Sequence, residues 1–338
     1  MIEANNTLAL SDMPSRLRWV REPVVAIGVF VILALLPVVL SGYVIYILPQ
    51  YMLFGVLAMS LALLWGFCGM LSFGQAGFFA MGAYIMGLCV QHAGAVDVNA
   101  AYLALLISMG AGAALAGAVG YFLFSAGVRD SYFVIVTLAL SIIAEQIAVS
   151  QSQITGGWNG MFIPRMELSF WRWKLPLNSD ASIYYVIVVF VAVTYFFLRW
   201  LTRAKFGKVL AGIRENEDRV LSLGFKVPLY KTATFAISAG LACIAGALYG
   251  THAAFVAPSL AGVLFSTEVV VWVAIAGRSS LLGALLGGIV VSSISNALSA
   301  ITPQYWQLVL GVLFVLVVAF FRGGVAGALN RFAARRKG

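Results

Sequence analysis

VIYILPQYMLFGVLAMSLALLWG, residues 44–66, runs for 23 positions without one Asp, Glu, Lys or Arg. About 20 apolar residues in a helix cross a hydrocarbon core about 30 Å thick, so this run reads as a membrane span. Nine more runs of the same character fall at approximately 24–42, 70–90, 101–125, 132–152, 183–200, 231–250, 262–277, 281–300 and 305–321. With 62% hydrophobic and 10% charged residues and a mean hydropathy of +0.99, lipid is the only solvent that suits these surfaces. The expected fold is therefore an all-α polytopic membrane protein of about ten transmembrane helices. Pro37, Pro49 and frequent Gly interrupt some runs, which leaves room for one segment to be re-entrant.

Orientation follows from the basic residues. With residues 1–23 cytoplasmic and ten alternating spans, 18 of the 21 Lys and Arg fall inside, leaving only Arg165, Arg172 and Lys174 outside. The expected layout is a cytoplasmic segment 1–23, a transmembrane domain 24–322 with an inner loop 202–230 and an outer-face loop 153–182, and a basic cytoplasmic tail 323–338. Residues 1–23 lack the compact arrangement of a cleavable signal. The outer loop carries Trp158, Trp171 and Trp173, the residue type of an interfacial belt. The net charge of +9 is accounted for by this bias and does not call for nucleic acid. Cys68, Cys89 and Cys243 sit in apolar runs without CxxC pairing, and His92 and His252 stand alone, so no metal site is expected.

The inner loop divides the spans. If spans two to five correspond to spans seven to ten, the odd offset makes the two helical units an inverted repeat, an arrangement common in transporters. Glycines have matching texture in the halves: Gly66, Gly69, Gly74, Gly77, Gly82 and Gly87, then Gly277, Gly283, Gly287 and Gly288. Small residues let helices approach closely. The other reading is broken helices whose backbone lines a polar cavity.

The informative polar feature is GKVLAGIRENEDRVLSLGFKVPLYK, residues 207–231. Leu210, Ile213, Val220 and Leu221 recur at helical spacing around an unbroken polar run from Arg214 to Arg219, which predicts an amphipathic helix at the inner surface. Glu215 and Arg219 stand at i, i+4, Gly224 is placed to end the helix, and Pro228 to prevent an immediate restart. Such a segment is either a solvated connector or the point at which a motor subunit pushes.

This loop, with ATFAISAGLACIAGALYG (233–250), resembles the coupling region of permease subunits of the branched-chain amino acid and urea type of ABC importer. GMLSFGQAGFFAMGAY (69–84), SYFVIVTLALSIIAEQI (131–147), TGGWNG (155–160), STEVVVWVAIAGRSSLLGALLGG (266–288) and LGVLFVLVVAFF (310–321) are similar to that family's other motifs, in order, over roughly 45–330. Arg322, where the family often has Pro, and the bulky Trp158 depart from its pattern. The resemblance implies a bacterial inner-membrane importer. A second homologous permease would pair with this chain, two cytoplasmic ABC ATPases would use ATP, and a periplasmic binding protein would deliver solute. The sequence has no GxxxxGK[ST], so ATP would be the partners' and this chain would carry no catalytic residues or cofactor. The coupling residues implied are Arg214, Glu215, Asn216, Glu217, Asp218, Arg219 and Gly224.

Polar groups at membrane depth are costly unless they face a cavity or a partner, which singles out Gln75, Glu145, Gln146 and Glu268 as pathway candidates or as hydrogen-bonded structural groups. Gly156, Gly157, Asn159 and Gly160 form an outer gate or a tight turn. Urea or short amides and branched-chain or other amino acids fit the solute equally at this level. A passive channel or ion-coupled secondary transporter would share the hydropathy and the membrane carboxylates but would have no need of the inner loop.

Overall fold

A computed structural model describes residues 15–39, 42–92, 98–128, 130–164, 168–170, 173–175 and 180–301, with isolated positions beyond. Residues 1–14, the tail 323–338, and Arg165, Glu167, Trp171 and Arg172 of the outer loop lie outside the described residues, as does nearly all of the expected span at 305–321.

The order of elements is α1 (Ser15–Val39), α2 (Gly42–Ala62) running on into a π-helical end Leu63–Cys68, α3 (Gln75–His92), α4 (Val98–Ser125), α5 (Asp130–Ser150) and the short α6 (Ser152–Thr155). Strands β1 (Met161–Phe162), β2 (Leu168–Phe170) and β3 (Trp173–Leu175) follow, then α7 (Asp180–Arg203), α8 (Lys205–Glu215), α9 (Glu217–Ser222) and α10 (Val227–Ala253). Strand β4 (Phe255–Val256), a 3-10 turn Pro258–Ala261, α11 (Val263–Ala276) and α12 (Leu281–Ile301) complete the described chain.

Among the described residues, six helical stretches are long and apolar enough to cross a membrane: Gly42–Cys68, Ala101–Ser125, Ser131–Ser150, Asp180–Arg203, Val227–Ala253 and Leu281–Ile301. They correspond to six of the ten runs expected from sequence. Runs 24–42 and 262–277 hold the shorter apolar helices Val24–Pro37 and Val263–Ala276, and the helix expected over 70–90 starts only at Gln75, because residues 69–74 are irregular. The fold is also not wholly α. β1 pairs antiparallel with β4 (Met161↔Val256, Phe162↔Phe255), and β2 with β3 (Leu168↔Leu175, Ser169↔Lys174, Phe170↔Trp173).

The core is built on α2, whose Met52, Leu53, Val56, Leu57 and Met59 are fully buried. α2 lies against α12, α7 and α11, and α10 lies against α4 and α3. By contrast Leu106, Phe122, Ile135, Val189 and Val193 on α4, α5 and α7 are more than half exposed. Bare side chains of this kind on several apolar helices belong against lipid or another membrane subunit, not water.

Glycine makes the close crossings. A Cβ on Gly82 of α3 would lie 1.9 Å from the Cys243 carbonyl oxygen of α10, and one on Gly246 of α10 would lie 1.8 Å from that of Phe79. Gly55 of α2 and Gly288 of α12 face each other in the same way, the Gly55 Cα lying 2.6 Å from where a Gly288 Cβ would stand. At these positions the close-packing reading of the glycine pattern holds. At Gly69 (φ +91°), which ends the π-helical turn and opens residues 69–74, the helix is broken.

Candidate functional site

The polar groups gather at two interruptions of the helical bundle and along the helix that joins them. The first interruption is the π-helical end of α2 and residues 69–74. The Arg214 Nη1 donates to the Gly66 carbonyl at 2.5 Å. A Gly66 Cβ would collide with the Arg278 carbonyl at 1.7 Å, and the Arg278 guanidinium stands 5.8 Å from the Trp65 ring centroid. The inner loop and the end of α11 therefore meet at one residue of α2. Deeper in, Phe73 N–H donates to Thr137 Oγ1 of α5 at 3.2 Å and Gly74 N–H to Ser72 Oγ at 3.2 Å, so irregular backbone is satisfied at membrane depth.

The second interruption is residues 254–262, between α10 and α11. The 151–164 segment is stitched to it by the β1–β4 pairing and by Ile163 N–H donating to the Ala254 carbonyl at 3.0 Å. Gln91 Nε2 donates to the Phe162 carbonyl at 2.9 Å. From α5, Ser141 Oγ donates to the Ala261 carbonyl at 2.6 Å and lies 3.0 Å from Ser266 Oγ. The half-buried Glu145 brings both carboxylate oxygens within 3.2 Å of the Cβ position of Gly262, the residue that opens α11. The positive end of a helix favours an anionic group there.

Of the residues singled out from sequence, Glu145 joins this second interruption and Gln75 the first. Gln75 is 1% exposed, accepts from Ser60 Oγ at 3.2 Å, and leaves Nε2 without a hydrogen-bond partner among the described residues. Glu268 is half-buried on α11, two residues past Ser266 and hence about 200° around the helix from the face that meets α5. Gln146 is exposed on α5, away from both interruptions. Gly156, Gly157 and Gly160 take φ of 76°, 58° and 71°, and a Gly156 Cβ would stand 2.0 Å from the Gly160 carbonyl. That is the geometry of a tight turn, with Trp158 and Asn159 exposed upon it and the bulk of Trp158 uncrowded.

The inner loop is two helices, not one. Asn216 adopts φ −160°, ψ 103°, ends α8 and caps α9 by accepting from Arg219 N–H at 2.9 Å. A short polar side chain there competes with the helix for backbone hydrogen bonds, so Glu215 and Arg219 no longer share a helical face. Leu210, Ile213 and Val220 are buried, as their spacing predicts, whereas Leu221 is exposed. Gly224 (φ +85°) follows the end of α9, in agreement with the sequence. Pro228 does not delay the next helix: it lies in the first turn of α10, where its missing N–H costs nothing. Glu217 turns inward to Lys231 of α10 at 2.6 Å, and the Lys231 ammonium lies 5.7 Å from the Phe124 ring centroid. Arg214, Glu215, Asn216, Asp218, Arg219, Leu223 and Gly224 are exposed, although the Arg214 guanidinium is turned to Gly66.

Sequence reading missed Thr137, Ser141, Ser266, Arg278 and Lys231. Thr137, Ser141 and Glu145 are visible as a polar row at i, i+4, i+8 in a largely apolar helix, a spacing that aligns them on one face.

The chain matches the family model described as branched-chain amino acid transport system / permease component over residues 43–318. The high-affinity branched-chain amino acid transport system permease protein LivM of Salmonella typhimurium is 28% identical over 319 residues, which cover 88% of this chain and 73% of that protein. LivM of Escherichia coli is 27% identical over the same shares. LivH of Escherichia coli, named as a permease protein of a high-affinity branched-chain amino acid transport system, is 22% identical over 81% of this chain and 91% of its own length. No solved structure matches the chain.

Proposed function

Since this chain belongs to the branched-chain amino acid transport system permease family, we propose that it is one membrane-spanning subunit of an ATP-driven importer of branched-chain amino acids. In this reading a second homologous permease completes the membrane unit, two cytoplasmic ABC ATPases supply the work, and a periplasmic binding protein delivers solute. Urea and short amides yield to branched-chain amino acids because the relatives reported above are named for the latter. The chain has no ATPase role of its own and sits in the bacterial inner membrane with both termini cytoplasmic.

The observation that carries the reading is the inner loop. Two short helices are fixed to the bundle by Arg214 and Glu217 yet hold Glu215, Asp218, Arg219 and Gly224 outward, beside an uncovered Leu223 that is 70% exposed. A solvated connector has no use for rigid anchoring. A channel or ion-coupled transporter has no use for the loop. We assign the outward set as the ATPase contact, with Asn216 and Glu217 holding its shape and Arg214 tying the loop to the end of α2.

The inverted repeat and the span count of ten belong to the same proposal. In its support, α2 lies against α12 as α10 lies against α4, each the first helix of one unit on the third of the other. Each first helix ends in an interruption, one beside the inner loop and one beside the 151–164 segment. The pathway groups proposed are Gln75, Glu145, Glu268 and Gln146, with the turn at Gly156, Gly157, Asn159 and Gly160 over its outer end.

The test is gentle extraction of the tagged chain from its native membrane, with its companions identified by mass spectrometry. Recovery of a second permease and Walker-motif ATPases supports the importer. A chain that emerges alone and conducts leucine in ATP-free vesicles overturns it.

A further inference from the structure

Arg214 opens the polar run that sequence alone assigns to docking, but its guanidinium is committed inward. It donates to the carbonyl of Gly66 in the π-helical end of α2, Leu63–Cys68. Carbonyls at the end of a helix lack intrahelical donors, and here Gly69 N–H and Met70 N–H both turn to Leu64. The Arg214 side chain therefore supplies a hydrogen bond at a point where the ladder of α2 is running out. Its stem crosses Gly69 as well: a Cβ on that residue, which sits at φ +91°, would be 3.1 Å from Arg214 Cγ. On the far side, Arg214 is borne by α8, whose Gly207, Leu210 and Ile213 are buried, so the arginine moves as α8 moves. Beyond Gly69 the irregular segment reaches Thr137 of α5 through Phe73. A π-helical turn is a recurrent mark of functional sites in helices, and this one is bonded by Arg214 and closely approached by the backbone of Arg278, from different parts of the chain.

We propose that Arg214 is a positioning residue for transport: it ties α8 to the π-helical end of α2, so that displacement of the inner loop is delivered to the Gly69–Gly74 interruption. The inference rests on the importer reading above and deepens it. Arg214 carries motion within this chain and is no part of the surface that holds the ATPase.

The experiment compares wild type, Arg214→Ala and Arg214→Lys in proteoliposomes with the native partners. ATP hydrolysis, recovery of the ATPases and leucine uptake are measured on the same preparations. Removing a charge-assisted hydrogen bond is expected to lower uptake about tenfold or more while ATP hydrolysis and recovery stay within about twofold, with Arg214→Lys regaining part of the uptake. Loss of recovery or of hydrolysis in proportion to uptake overturns the proposal, since docking or folding is then what Arg214 serves. Unchanged uptake in Arg214→Ala overturns it too. If the wild-type chain recovers no ATPase at all, the importer reading itself has failed, and that is seen before any variant is compared.

Discussion

Gly82→Ala adds one methyl group to the crossing of α3 and α10. The new carbon would stand 1.9 Å from the Cys243 carbonyl oxygen, 2.6 Å from its carbon and 2.7 Å from its Cα, all rigid backbone of a helix that is buried over much of its length. Ordinary contact would require α3 and α10 to part by about 1.5 Å at this point, taking them out of register with the neighbouring contacts. Among those are the reciprocal approach of Gly246 to Phe79 and the Cys243 thiol donating to the Phe78 carbonyl at 3.0 Å. Overpacking of a close-packed interior costs about 1–3 kcal/mol, and here no side chain can swing aside, so about 3 kcal/mol is expected. The control is Gly110→Ala on α4, where no atom lies within 4 Å and the better helix propensity of Ala favours the change by a few tenths to about 1 kcal/mol. Thermal unfolding of detergent-purified protein, followed by loss of the monodisperse chromatographic peak, reads both. Gly82→Ala should melt several degrees below wild type and Gly110→Ala at or above it. A Gly82→Ala protein as stable as Gly110→Ala would refute the close-packing reading of the glycine pattern.

Three further outcomes are expected. Ser141→Ala removes both the bond to the Ala261 carbonyl and the contact with Ser266, and should lower stability by about 0.6–2 kcal/mol in the same melting assay, since hydrogen bonds within membranes are worth that much. Glu217→Gln weakens the hold on Lys231, which is 3% exposed; with Glu217 itself partly solvated, about 1 kcal/mol is lost, and protease cleavage within 205–226 should quicken. Glu215→Lys combined with Asp218→Lys reverses exposed charge without touching either anchor, so uptake and ATPase recovery should fall while membrane insertion is unchanged; full uptake in this pair would remove the docking assignment.

The membrane domain is legible because an apolar run without charge is written in single residues. The short elements are not, and for physical reasons that differ from place to place. A π-helical turn at Leu63–Cys68 is a surplus of one residue in a ladder, and any apolar sequence can carry it. The division of the inner loop at Asn216 is in principle readable. Asn followed by Glu217 and Asp218 is an N-cap with acidic residues in the first turn, but the apolar spacing of Ile213 and Val220 argues for continuity and masks it. Pro228 reads as a stop, although proline in the first turn starts helices as readily as it ends them. Which glycines separate helices and which draw them together cannot be told from composition. That choice is made by whether a facing backbone lies within 3 Å of the absent Cβ, as at Gly82, Gly246 and Gly288, or by a positive φ, as at Gly69.

The candidate site follows from one constraint. Irregular backbone inside a membrane must find partners in protein, because lipid offers none. Both interruptions find them on α5. Residues 69–74 take Thr137 and residues 254–262 take Ser141, four residues on along the same face, with the Glu145 carboxylate a further four residues on beside Gly262. Four residues of helix rise about 6 Å, so the interruption beside the inner loop and the one beside the 151–164 segment come within about one turn of each other along α5. Neither can shift along that helix without breaking a buried hydrogen bond or carrying α5 with it. On the proposed reading, a stroke delivered at Gly66 by the inner loop would reach the second interruption by way of α5, whose Ile142, Ile143 and Ile147 are exposed among the described residues and so are not held by this chain.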